Sequence, residues 1–200
     1  MNKKNIQIGL LVGVVVLFPL ISLLINFKGA ENGRAFYKEI KNNLGILPAF
    51  QLKNWANDSV LSNKIKGNVL IMSFINIENR QAVLDVIKPV VKTGQFREEV
   101  DNLQFLTFDI ANDSIFSKQY SDNFTPQDRK MWQILRGGND VPSKMKLPDL
   151  YHIALVDTAG IIRRFYDVRN ETDKRLLVEH IAIMPIKRKY SVEKKDQKQL

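Results

Sequence analysis

The side chains able to do redox or metal chemistry are few in this 200-residue chain. It has no cysteine, which removes disulfides, thiolate nucleophiles, thiolate metal ligands and lipoprotein acylation together. Its two histidines are His152 and His180. His152 adjoins a strand end and is a candidate lone ligand or proton-transfer group, with a packed or capped histidine as the plainer reading. His180 falls on the inner face of the last helix and reads as core. Glu78, Asp109 and Asp149 are candidates to gather near one strand-to-helix junction. Three carboxylates there would bind a hard cation or serve as acid and base. No fixed spacing ties them together, and solvated loop carboxylates are the plainer reading. Met72, Met131, Met145 and Met184 lack a Met-x-Met or His-Met pattern and read as core filler. Gly137-Gly138 has nothing like a phosphate-binding loop around it.

The element that must position any such site is the stretch Val69 to Gln81. It opens as a continuous apolar run, Val69-Leu70-Ile71-Met72-Ser73-Phe74-Ile75, the pattern of a strand buried on both faces. It then turns polar and enters a helix over Arg80 to Thr93, where Val83, Leu84, Ile87, Val90 and Val91 recur at helical spacing. Pro89 is expected to kink or end its regular part. Upstream, Ile46 to Leu52 is a short alternating strand. Asn57-Asp58 and Lys66-Gly67-Asn68 are turn signals.

Leu103 to Asp109 is the next strand, and Ser114 to Tyr120 a helix. Thr125-Pro126-Gln127-Asp128 starts a short helical piece that carries Trp132 and ends near Gly137-Gly138. Trp132, Phe124 and Tyr120 are candidates for an exposed aromatic patch, with packing on the sheet as the alternative. Asn139 to Leu150 is a loop. Tyr151 to Asp157 and Ile161 to Tyr166 form a hairpin around Gly160, which is there for a positive φ. A last helix, Asp173 to Met184, is capped by Asn170 to Thr172 and stopped by Pro185. Alternating α and β units imply parallel pairing in the sheet centre, and the late hairpin adds an antiparallel edge.

Ile6 to Phe27, about 22 residues without a charge, is long enough for a transmembrane helix. It reads as an uncleaved signal anchor, since no small-x-small cleavage site follows it. Residues 1–5 are then a short tail, 28–45 a stalk, 46–186 the globular domain and 187–200 a basic, apolar-poor tail. The lysines on both sides of the span leave the charge rule nearly indifferent. The very short N-terminal tail favours export of the soluble domain, to a periplasmic or intermembrane side. The net charge of +9 comes with no nucleic-acid-binding motif, and no nucleic-acid partner is expected.

In order and spacing, several pieces resemble the Sco/SenC family of membrane-anchored, thioredoxin-like factors for copper delivery to cytochrome c oxidase. They are Leu47-Pro48-Ala49-Phe50-Gln51-Leu52, Lys66-Gly67-Asn68-Val69-Leu70-Ile71 leading to Phe74, Thr107-Phe108-Asp109, the Trp132…Leu135…Gly137 segment, and Ala154 to Asp167. The resemblance covers about Ile46 to Ile186. It implies a thioredoxin-like mixed sheet flanked by helices. The family's two copper-binding cysteines would fall at Ile77 and Gln81, and its histidine at Asp149. Isoleucine is no ligand, and glutamine suits Cu(I) poorly. The proline that related reductases place near Tyr151 is also missing.

The expectation is therefore a divergent member of that family without its copper site. It would be a non-enzymatic, membrane-anchored binding or assembly factor for a membrane-protein partner, with respiratory-complex subunits as candidates. No catalytic, cofactor-binding or metal-ligating residue and no cofactor is assigned. The alternative is a cysteine-independent metal-binding protein or enzyme that uses His152 and nearby carboxylates.

Overall fold

The computed structural model describes residues 40–92, 102–113 and 125–184. The chain divides into two compact units, Met1–Ile40 and Lys41–Leu200, and every element below belongs to the second. In chain order these are β1 (Gln51–Lys53), β2 (Ser59–Leu61), β3 (Val69–Ile75), α1 (Arg80–Lys92), β4 (Leu103–Asp109), α2 (Pro126–Met131), β5 (Trp132–Arg136), α3 (Val141–Lys144), β6 (His152–Val156), β7 (Ile162–Asp167) and α4 (Glu171–Ile183).

All seven residues of β3 are buried, as a central strand covered on both faces requires. It pairs parallel with β4 and antiparallel with β6. β5 adds parallel to β4, and β7 adds antiparallel to β6, giving the sheet order β5-β4-β3-β6-β7. β1 and β2 form a separate antiparallel pair around the turn at Asn57, whose φ is 69°.

The period of two sorts the sheet's side chains. Leu70, Met72, Phe74, Leu106, Phe108, Leu135, Ala154 and Val156 build one core cluster, closed by Val60, Ile65, Val141 and Met145. The intervening positions face the other way. There the Ser73 and Thr107 hydroxyls lie 2.8 Å apart, and Trp132 Nε1 donates to Thr107 Oγ1 at 2.9 Å. Gly138 has φ 86°, and a Cβ on it would lie 2.8 Å from Phe108 Cδ1 and 2.9 Å from Leu52 Cδ1. Glycine is required there on both counts.

Several expectations change. Trp132 is not helical: α2 stops at Met131 after a capping box between Thr125 and Asp128, and Trp132 turns extended, with φ −126° and ψ 120°. A fifth strand follows because the segment finds a ladder partner, Phe105 opposite Trp132. Trp132 is 2% exposed, so it belongs to no exposed aromatic patch. Tyr120, Phe124 and the helix expected over 114–120 lie outside the described residues, as do the anchor at 6–27 and the tail at 187–200. Among the described residues no helix is long and apolar enough to cross a membrane.

The segment 139–150 holds a one-turn helix, α3, instead of an uninterrupted loop. α1 continues past Pro89 to Lys92. Burial of Val90 and Val91 offsets the backbone bond that a proline removes. The first strand is shorter and later than expected. Residues 41–45, assigned to the stalk from sequence, are bonded onto the β6–β7 hairpin. Leu44 N donates to Ile162 O, Ile162 N to Gly45 O, and Leu47 N to Gly160 O.

Candidate functional site

The junction between β3 and α1 is built by two asparagines. The Asn76 side chain accepts from the backbone N–H of Glu78 (3.0 Å) and of Asn79 (2.9 Å). It thereby supplies partners for N–H groups that open a helix. Asn79 is 1% exposed. Its Oδ1 accepts from Asn76 N at 2.7 Å, and its Nδ2 donates to Phe74 O at 2.8 Å and to Leu150 O at 2.6 Å. The side chain thus sits as a bridge between the end of β3 and the chain just ahead of β6. Arg80 adds an ion pair with Asp113 at 2.8 Å, tying the start of α1 to the residues after β4.

A loop bonded this way leaves Ile77 pointing out, 78% exposed. Glu78 and Gln81 are exposed as well, and Gln81 Nε2 donates to Asp85 Oδ1 at 2.6 Å. Asp109, the last residue of β4, pairs with Ile75 at the same sheet end but is fully buried. Glu78, Asp109 and Asp149 therefore do not converge. Among the described residues no group of three or more His, Asp or Glu side chains is placed to hold a metal ion.

What does converge is a second cluster at the same end. β6 runs antiparallel to β3 with Met72 opposite Ala154, so His152 starts β6 beside the end of β3. His152 Nδ1 lies 2.7 Å from Asp149 Oδ1, and that oxygen also accepts from Tyr151 N at 2.8 Å. Arg169 Nη2 donates to Asp149 Oδ2 at 2.8 Å, and Arg169 grips Asp167 through Nε (2.8 Å) and Nη2 (2.7 Å). The guanidinium also lies over the Tyr151 ring, 4.6 Å from its centroid. Burial raises the Asp149 carboxyl. Hydrogen bonds from His152, Tyr151 and Arg169 outweigh it and leave the group below the usual carboxylate range. The Arg169 hydrogen bonds hold Asp167 down at about 2. The Asp149 carboxylate orients the His152 ring, as the carboxylate does in a carboxylate–histidine dyad. The sequence pointed to His152 and Asp149. It did not point to Arg169, which arrives from the far end of β7.

The Asp167–Arg169 pair sets an acid limb. Because the folded carboxyl lies below its unfolded-chain value of about 3.9, its contribution is fully present above that value. It is lost as pH falls through about 2. Arg169→Ala is expected to lower stability above about pH 4 and to flatten its fall between about pH 4 and about pH 2, read by urea denaturation of the full chain at stepped pH. An unmoved limb would show that the pair contributes nothing to stability.

His180 is fully buried, and its Nδ1 lies 2.7 Å from the Tyr166 hydroxyl; it is core, as its helical position indicates. Met72, Met131, Met145 and Met184 are all buried, in keeping with core filling. Gly160 has the expected positive φ, at 80°.

A mixed five-stranded sheet with a parallel centre, an antiparallel hairpin at one edge and flanking helices is a thioredoxin-like fold. No protein-family model and no curated protein matches the chain. Solved structures do. A SCO1/SenC family lipoprotein from Bacillus anthracis aligns with TM-score 0.54 at 16% identity, over 70% of this chain and 94% of that one. ScoI of Bradyrhizobium japonicum with copper bound gives TM-score 0.51 at 16% identity, over 70% and 100%. BsSco, a member of the Sco family of cytochrome c oxidase assembly proteins, gives 0.50 at 18%, over 72% and 96%. At these identities the likeness is one of fold, and it includes the family whose motifs the sequence resembles.

At the three positions where the resemblance would place copper ligands, the residues do not fit the ion that fold neighbour holds. Ile77 carries no donor atom. Gln81 is turned to Asp85, and both Asp149 oxygens are taken by His152, Tyr151 and Arg169. None offers the sulfur that Cu(I) prefers.

Proposed function

We propose that this chain is a membrane-anchored, non-catalytic binding factor of thioredoxin-like fold that holds a membrane-protein partner through its β3–α1 junction. Its anchor is Ile6–Phe27, and its soluble domain lies on the exported side. By likeness to the Sco assembly proteins, subunits of a respiratory complex are the first partners to test.

One observation carries the reading. Ile77 stands 78% exposed on a loop fixed by the Asn76–Asn79 hydrogen bonds. A single exposed isoleucine is ordinary. An isoleucine presented by a rigid loop, at the position where the family's chemistry would sit, is suited to an apolar contact that costs little ordering. Ile77→Asp is expected to leave stability within about 0.5 kcal/mol of the parent, as at exposed sites generally. Recovery of the membrane partner from detergent extracts should fall by roughly thirtyfold, the effect of losing a 2 kcal/mol interface anchor. Absence of any reproducible membrane partner would overturn the reading. So would tight uptake of one equivalent of Cu(I), or reduction of a disulfide substrate, by the purified protein.

The Asp149–His152 pair favours a second reading, a cysteine-independent metal binder or acid–base enzyme. Calorimetric titration of the full chain with Cu, Zn and Ca ions tests its metal version. No heat, and no metal retained after purification, rejects that version.

A further inference from the structure

The end of the sheet opposite the junction has its own surface. The hairpin turn Asp157–Gly160, the segment Lys41–Leu47 and the turn at 64–67 meet there. Leu47 N donates to Gly160 O, Gly67 N donates to Thr158 O, and Ile46 bridges Ile161. Asp157 locks the corner. Its Oδ1 accepts from Ala159 N (2.9 Å) and Ile161 N (2.8 Å), and its Oδ2 accepts from Arg163 Nε (2.8 Å) and Nη2. Arg163 Nη1 in turn donates to Lys41 O (3.2 Å) and Asn42 O (3.1 Å). The entering chain is thus fastened to the hairpin by an arginine whose charge is already matched.

On this fastened surface Ile46 is 73% exposed and Leu44 41%. Lys41 on the same segment, and Lys64 and Lys66 on the turn bonded to the hairpin, are exposed as well. The one carboxylate among the described residues of this corner, Asp157, is spent on Arg163. Two exposed apolar side chains at an end of the domain that also carries exposed lysines suit an interface between lipid headgroups and acyl chains.

We propose that this hairpin-turn end of the domain, with Leu44, Ile46, Lys41, Lys64 and Lys66, rests on the surface of an anionic lipid bilayer. The inference rests on the reading of Ile6–Phe27 as an anchor. Thirteen residues, 28–40, separate that run from Lys41. A tether this short holds the patch at high effective concentration beside the membrane, so a weak surface affinity suffices to dock it. The seven residues of β3, at about 3.3 Å each, then carry the junction and Ile77 roughly 20 Å away from the lipid. A partner that meets Ile77 does so above the membrane surface.

The absence of native cysteine makes the test clean. Single cysteines at Val14, Glu78 and Ala159 in the full chain are spin-labelled, and the protein is reconstituted into vesicles of neutral or anionic phospholipid. Accessibility to oxygen and to a water-soluble nickel chelate reports depth. The ratio at Ala159 is expected to exceed that at Glu78 by about threefold or more in anionic vesicles, as interfacial burial requires. It should fall toward the Glu78 value in the Leu44→Ser, Ile46→Ser double variant and at high salt. Equal, water-like ratios at Ala159 and Glu78, with Val14 in hydrocarbon, overturn the docking and leave the anchor standing. A water-like Val14 overturns both. An Ala159 label equally shielded in detergent means that the chain itself or a second copy covers the patch, which also overturns the proposal.

Discussion

Asn79→Leu is expected to destabilise the protein by about 3 kcal/mol, although the side-chain volume hardly changes. The native side chain is 1% exposed and makes three hydrogen bonds, to Asn76 N, Phe74 O and Leu150 O. Leucine supplies none of them. Each buried backbone group left without a partner costs about 1–3 kcal/mol. Phe74 O, in the buried bond of the three, carries most of the loss. Asn76 N and Leu150 O are part-buried and recover some of theirs from water. For a domain of this size the effect corresponds to a fall in Tm of roughly 6–12 °C, read by tryptophan fluorescence or circular dichroism.

Asn79→Asp separates the hydrogen-bond account from simple packing. It keeps the shape and the acceptor to Asn76 N. It also loses the Nδ2 donor and turns a carboxylate toward two carbonyl oxygens in a site shut from water. Such a carboxyl has its folded pKa raised. The variant should therefore be least destabilised at acid pH. Its deficit should grow as pH rises above the unfolded value of about 3.9 and level off above the folded one. A pH-independent deficit, or an Asn79→Leu variant as stable as the parent, would show that the bridge to Leu150 contributes little. The junction would then lack the rigidity on which the role of Ile77 depends.

The parts of the fold legible in the sequence were those whose local pattern and tertiary fate agree. The apolar run of β3 is buried throughout. The helical spacing of Val83, Leu84, Ile87, Val90 and Val91 marks the residues that α1 buries. Asn170 caps α4 as its position implied, accepting from Thr172 N and Asp173 N. β5 was hidden because α2 passes straight into it at Met131-Trp132, with no glycine or proline at the boundary. Its strand state is set by a parallel neighbour across the sheet, which no local window contains. α3 spans four residues, too few for a period to register.

The site divides in the same way. Asp149 and His152 are three apart, close enough to suspect. Arg169, which joins them, stands 20 positions from Asp149, and only the β6–β7 pairing brings it near. The Asn76-x-x-Asn79 pair did leave a signal, since a side-chain acceptor three residues before a helical position is a capping pattern. What the pattern lacks is the reach of Asn79 across to Leu150, 71 positions away. Exposure of Ile77 was unreadable for a related reason. An apolar residue after an apolar strand looks like more core, until the asparagine bonds fix which way the loop turns.

Phe108→Ala is expected to have the largest effect of all, about 4 kcal/mol, within the range for phenylalanine truncation in a core. Phe108 is fully buried in β4. Its ring stacks on Phe74 of β3 with centroids 4.8 Å apart and an interplanar angle of 29°. It takes Phe50 edge-on at 5.3 Å and 81°. It therefore joins the strand that leads to the junction with the segment running into β1. Gly138 abuts the same ring, with no room for even a methyl group, so the backbone after β5 cannot collapse inward to refill a cavity without breaking its own turn. The cost should accordingly sit at the high end for its chemistry, since the penalty grows with the void that remains. Phe108→Leu keeps most of the volume but forfeits both aromatic contacts, each worth about 0.5–1.5 kcal/mol beyond area; it is expected to cost about half as much. Urea titration of the three proteins measures the series through shifts in midpoint at constant slope. The Gly138→Ala variant supplies the cross-check. Made in the Phe108→Ala background, the added methyl gains the space that the ring vacated, though not relief from the φ of 86°. Its penalty should be smaller there than in the parent. Additive penalties would mean that ring and glycine do not share the contact, and the account of why the cavity stays open would fail.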